Sequence, residues 1–93
     1  MNELHRLREH IIKIAQKHGA SNIRVFGSVA RGEDTADSDI DFLMDFNPGR
    51  SLVDLVALKL ELEDLLGRKV DIVTEQALLP RIRKNVLQEA VEL

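Results

Sequence analysis

Between Asp39 and Phe46 the chain alternates two kinds of residue. Ile40, Phe42, Met44 and Phe46 interleave with Asp39, Asp41, Leu43 and Asp45. A period of two is that of a β-strand with one face turned to a core. Asn47-Pro48-Gly49 ends the run as a turn. The chain must therefore supply apolar elements to cover one side of this strand, while carboxylates stand on the other.

The covering elements can be read on both sides of it. Leu4, Leu7, Ile11, Ile14, Ala15 and His18 recur at steps of three and four, one face of a helix that Gly19 would stop. Asn22–Phe26 reads as a short strand. Val29 to Arg31 fits one helical turn closed by Gly32, and the polar stretch GEDTADSD is a loop. Ser51 is placed to cap a helix running through Leu55, Leu58, Leu62, Leu65 and Leu66 to Gly67, with Asp54 in its first turn. This helix is apolar on more than one face, so either it is buried on two sides or one side meets another chain. Val70–Thr74 is a third strand. Pro80 opens a last helix whose buried stripe would be Leu79, Ile82, Val86 and Ala90. Residues 90–93 fit either the end of that helix or an edge strand. The fold class is α+β (α/β), a small sheet with helices packed on it.

At 93 residues, one domain spanning 1–93 is expected. With no cysteine, disulfides are excluded and any metal must take oxygen or histidine ligands. No apolar run reaches the ~18 residues of a membrane span, and the charged N-terminus is unlike a signal peptide, so a cytoplasmic location is the expectation. Acidic residues outnumber basic ones 16 to 13 and the only aromatics are three phenylalanines, which argues against direct nucleic-acid binding.

Three features carry chemistry. Gly27-Ser28 follows a strand and precedes a turn of helix, where backbone approaches a ligand closely and N–H groups suit phosphate. Asp39 and Asp41 lie two apart on a strand, about 6.5–7 Å from each other on the same face. Such a pair repels unless a cation sits between, and oxygen-only ligands with water completing the shell are what magnesium accepts. Asp71, between Val70 and Ile72, points away from the core; if its strand neighbours that of Asp41, a third carboxylate joins the pair. Aspartate is a poor strand former, so three of them on one face need a reason. Gly-Ser, ten residues, then Asp-x-Asp arises by chance about once in a thousand chains of this size.

The segments Val25-Phe26-Gly27-Ser28-Val29-Ala30-Arg31-Gly32 and Ser38-Asp39-Ile40-Asp41 resemble the nucleotidyltransferase signature of the polymerase-β-like superfamily. The short form with Ala-Arg-Gly and Ser-Asp-x-Asp is similar to the minimal nucleotidyltransferase (MNT) antitoxins, and the likeness extends over almost the whole chain. It implies a small mixed sheet with flanking helices. It also implies transfer of AMP from ATP to a protein hydroxyl, by the antitoxin of a pair whose toxin is a HEPN-domain RNase, in a hetero-oligomer. Gly27 and Ser28 would hold the triphosphate, with Arg31 a nearby basic contact. Asp39, Asp41 and Asp71 would be catalytic and would bind two Mg²⁺ ions about 3.5–4 Å apart, Asp71 also being a candidate base. Valine follows Gly-Ser where some relatives carry arginine, leaving Arg31 as the basic residue at hand.

Other residues have plainer readings. His5, His10 and His18 lack the spacing of four that builds a helical metal site and read as surface or boundary residues. Arg81, Arg83 and Lys84 form a basic cluster suited to solvent, a partner or phosphate. Arg31 suits either a bond to the acidic loop or a ligand contact. Two other functions fit the same residues: a binding module that neutralises its toxin by contact alone, and a nucleotidyltransferase acting on a small molecule or RNA.

Overall fold

The computed structural model describes residues 1–93. Elements run α1 (Asn2–Arg6), α2 (Arg8–Lys17), β1 (Ala20–Phe26), α3 (Gly27–Arg31), β2 (Ile40–Phe46), α4 (Leu52–Leu66), β3 (Val70–Val73), a 3-10 turn (Glu75–Ala77), α5 (Pro80–Glu89) and β4 (Val91–Glu92). The sheet has the order β3-β2-β1-β4. β2 pairs parallel with β3, while β1 runs antiparallel to both β2 and β4, so the sheet is mixed.

One face of the sheet makes the core. Ile40, Phe42 and Met44 of β2 join Val25, Val70 and Ile72 there, under Leu4, Ile11 and Ala15 from the N-terminal helices and Leu58, Leu62 and Leu66 of α4. No polar or charged side chain is buried in it. Side chain Ser51 accepts from the Val53 amide, and Asp54 accepts from the Ser51 amide in return, so α4 starts with a reciprocal cap. Backbone bonds of that kind hold Asp54 below the usual carboxylate range, with Arg50 adding to the effect.

Several expectations are corrected in detail. The N-terminal helix is two helices interrupted at Leu7, although the Ile11 amide still bonds the Leu7 carbonyl at 2.9 Å and Leu4, Ile11 and Ala15 are all buried. β1 begins at Ala20, with a register shift at Asn22, which adopts φ +51°, a conformation asparagine tolerates. The third strand ends at Val73. Leu43 is fully buried although it lies on the non-core face. Its register partners there are Arg24 and Val73, and the 3-10 turn packs alongside β2.

The largest departure is α5. Its proposed stripe is not buried: Leu79 is 53% and Ile82 42% exposed, while Val86 and Ala90 are half-buried. The chain leaves the helix at Ala90 and pairs with β1 as an edge strand, Val91 opposite Val25 and Glu92 opposite Arg24. That strand places the end of α5 beside the β1–α3 turn. One side of α4, carrying Leu52, Val53, Val56 and Leu60, is also uncovered.

Candidate active site

Parallel pairing of β2 with β3 puts Asp41 directly opposite Asp71. On the other side, the antiparallel register sets Asp41 against Phe26, the residue before Gly27. The expected turn and two of the expected carboxylates thus meet on neighbouring strands. Asp39 is not on the strand: β2 begins at Ile40, and Asp39 lies exposed in the approach to it. Arg68 fixes that approach, donating to the Ser38 carbonyl at 2.7 Å, to the Thr35 carbonyl at 3.1 Å and to Asp34 at 3.2 Å.

Gly27 is required by geometry twice over. Its φ of +74° is left-handed, and a Cβ there would stand 2.2 Å from Asp41 Oδ2. The turn is therefore seated on the Asp41 carboxylate, with half-buried Ser28 next in the chain. α3 starts at Gly27, two residues before the turn expected from the sequence, because glycine itself makes the corner between strand and helix.

Burial pushes the Asp41 carboxyl up, and repulsion from Asp71, Asp39 and Glu89 adds to the rise against a smaller pull from Arg31. Glu89, the last residue of α5, is a fourth carboxylate with no sequence signal of its own, since only the β4 pairing brings it here. It accepts from the Gly27 amide at 3.1 Å and from Arg31 Nη1. Partial burial pushes Glu89 up, but the bonds from Arg31 and Gly27 outweigh it and hold the group below its ordinary value. Arg31 also donates from Nε to Glu33 at 2.6 Å, the contact to the acidic loop that its position suggested. These bonds to Glu33 and Glu89 raise its pKa.

The donor set suits magnesium in kind: oxygen atoms only, around a carboxylate under repulsion. No group of three or more histidine, aspartate or glutamate side chains is close enough to hold an ion alone. Magnesium commonly takes one or two carboxylates and completes its shell with substrate phosphates and water, which these residues can satisfy. The site lies open at the surface: Asp39 and Asp71 are exposed and Gly27, Ser28 and Asp41 half-buried, while a cleft of about 460 Å³ between α2 and β1–β4 is elsewhere.

Elsewhere, His5 and His10 are exposed, and His18 bonds Glu61 at 2.8 Å, tying α2 to α4. Arg81, Arg83 and Lys84 are all exposed. Arg24, which the sequence did not single out, bridges Asp45 and Glu75 at 3.2 and 2.8 Å on the non-core face.

Comparison with known proteins places the whole chain in a family. The nucleotidyltransferase domain family matches residues 7–93. A relative from Methanocaldococcus jannaschii, named as a protein adenylyltransferase, is 43% identical over 90 residues, covering 97% of each chain. The protein adenylyltransferase MntA of Thermococcus cleftensis is 42% identical over 85 residues, 91% of this chain and 86% of its own. A solved minimal nucleotidyltransferase superposes with a TM-score of 0.88 at 52% identity, over 99% of this chain and 94% of that one. A chain of a toxin–antitoxin complex with AMP-PNP shares the fold at a TM-score of 0.76 and 22% identity, over 90% of this chain and 69% of its own. With the family model, the relatives and the solved structure in agreement over nearly the whole length, the chain belongs to the minimal nucleotidyltransferases of the polymerase-β-like superfamily.

Proposed function

We propose that this nucleotidyltransferase moves AMP from ATP to a hydroxyl of a partner protein, as the antitoxin of a toxin–antitoxin pair. The observation that carries the reading is the seating of the Gly27 turn on Asp41, with Asp71 opposite on β3. A phosphate chain held by Gly27, Ser28 and Arg31 would lie against the carboxylates, where charge must be neutralised and a proton removed. The names of the adenylyltransferase relatives and the AMP-PNP of the fold neighbour support protein acceptor and nucleotide respectively.

In the transfer, the acceptor hydroxyl oxygen bonds the α-phosphorus, the bond from that phosphorus to the bridging oxygen breaks, and pyrophosphate leaves. Asp71, exposed on the strand opposite Asp41, would take the hydroxyl proton. Gly27 and Ser28 orient the triphosphate, so the chain contributes mainly positioning. Magnesium held by Asp39, Asp41 and Asp71 would supply neutralisation of the phosphate charge. An open site leaves the acceptor to provide the remaining walls, whereas small substrates usually sit in enclosing pockets.

For the acceptor we favour tyrosine on a HEPN-type RNase toxin. This chain has no tyrosine, so such a modification must occur in trans. An added phosphodiester charge and adenosine would oppose the approach of RNA phosphates.

With ATP labelled on the α-phosphate, wild type should label the toxin; with γ-label it should not. Asp39→Ala or Asp41→Ala should abolish labelling while leaving the fold intact. A reading by contact alone rests on the uncovered apolar side of α4, Leu52, Val53, Val56 and Leu60. It requires that both aspartate variants neutralise the toxin as well as wild type does.

A further inference from the structure

The last turn of α5 puts into the phosphate turn a side chain that the transfer derived above does not use. Glu89 Oε2 accepts from the Gly27 amide at 3.1 Å, and Oε1 accepts from Arg31 Nη1. One carboxylate thus takes two of the three residues that the nucleotide reading assigns to phosphate, leaving Ser28. A carboxylate offers the same sign of charge as a phosphate and a similar pair of acceptor oxygens. The Gly27 N–H is a single donor and cannot serve both fully. A triphosphate arriving there would also meet Glu89 at contact distance with like charge.

Helix α5 is able to yield. None of its residues is buried, and Ile82 and Leu87 are 42% and 39% exposed. Its position near Gly27 is set by the Glu89 bonds, by half-buried Val86 and Ala90, by contact with α3 and by the pairing of β4, with no residue locked in the core.

We propose that Glu89 is an internal competitor for nucleotide phosphate: its carboxylate holds the Gly27 amide and Arg31 until a triphosphate displaces it, so this one side chain sets the affinity for ATP. The proposal rests on the reading of Gly27, Ser28 and Arg31 as the nucleotide site.

The test is calorimetric titration of the full chain with magnesium–AMP-PNP, comparing wild type with three variants. Glu89→Gln keeps an acceptor for Gly27 but loses the ion pair and the repulsion, and should bind about five-fold tighter or more. Glu89→Asp keeps the charge but is one methylene too short to hold both partners, and should also tighten binding. Glu92→Gln removes the same charge from β4 and should stay within about two-fold of wild type. If wild type binds and neither Glu89 variant binds tighter, the competitor role is overturned and the nucleotide site stands. Equal tightening by Glu92→Gln would also overturn it, since net charge alone would then be the cause. If no protein in the series binds, the nucleotide reading falls and takes the proposal with it.

Discussion

Helices α4 and α5 show two ways of belonging to this molecule. Both follow a turn and both carry apolar residues at helical spacing. α4 has a reciprocal cap at Ser51 and Asp54, buries Leu58, Leu62 and Leu66, and ends at Gly67. α5 has no side-chain cap and buries nothing. The apolar stripe is the sharper on α5, yet the helix apolar on more than one face is the one in the core. Amphipathic pattern therefore tells which side of a helix could be buried, and the sheet decides whether it is. β2 and β3 lie in the middle and at one end of the sheet and present a broad apolar face to α4, whereas α5 is strung between the 3-10 turn and an edge strand of two residues. Stability resides with α4, and the last turn of α5 is free to serve the site.

This contrast breaks if truncation costs the same in both helices. Leu62→Ala should destabilise by about 2–5 kcal/mol, because the side chain is fully buried in a close-packed cluster. Ile82→Ala in α5, 42% exposed, should cost less than about 1 kcal/mol. Urea unfolding measures both, and equal losses would show that α5 is packed more tightly than described.

At the junction of the two regimes, Gly27→Ala forces a Cβ against Asp41 Oδ2 and strains a φ of +74°. The expected loss is about 1–3 kcal/mol, together with loss of transfer activity. A variant with wild-type stability and labelling rate would mean that the turn is not seated on Asp41. The cap of α4 gives a smaller step. Ser51→Ala should cost about 1 kcal/mol, read from the same unfolding curves.

Smallest is the effect of Asp41→Asn on stability in metal-free buffer. The charged form of Asp41 is disfavoured in the folded state by burial first and by neighbouring carboxylates second, so its folded pKa lies above the ordinary 3.8. The penalty is full above the folded pKa and gone below the unfolded one. The asparagine variant should therefore melt higher than wild type at neutral pH, by an increment that shrinks as pH falls toward 3.8. Because the carboxyl is only partly buried and solvent screens its neighbours, the gain should stay below about 1 kcal/mol. A variant less stable than wild type at neutral pH would show that the carboxylate makes a favourable contact.

Much of the fold was legible before the structure, for identifiable reasons. The alternation of Ile40, Phe42 and Met44 located the central strand, and Ser51 with Gly67 bracketed α4. Gly27, Asp41 and Asp71 stand out in the sequence because glycine after a strand and aspartate within one are each locally unfavourable, and the structure brings the three together. Glu89 and Arg68 do not stand out, because a charged residue on or beside a helix is ordinary until long-range pairing shows what it faces. Glu89 meets Gly27 across 62 positions, and Arg68 meets Ser38 across 30. The edge strand is undecided in the sequence for the same reason: Val91-Glu92 acquires its role only from β1. Leu43 is not legible as buried because alternation alone assigns its face to solvent, whereas Val73 and the 3-10 turn lie on that side.

In the proposed function, Asp39 and Asp41 drive transfer of AMP onto a partner toxin. It is tested most directly by the intact mass and RNase activity of the toxin after incubation with this chain, ATP and magnesium, once the two proteins have been separated. The account predicts a toxin heavier by one or more AMP groups, located on tyrosine and inactive on its own, with neither change when Asp39 and Asp41 are both alanine. A separated toxin of unchanged mass and full RNase activity would contradict it.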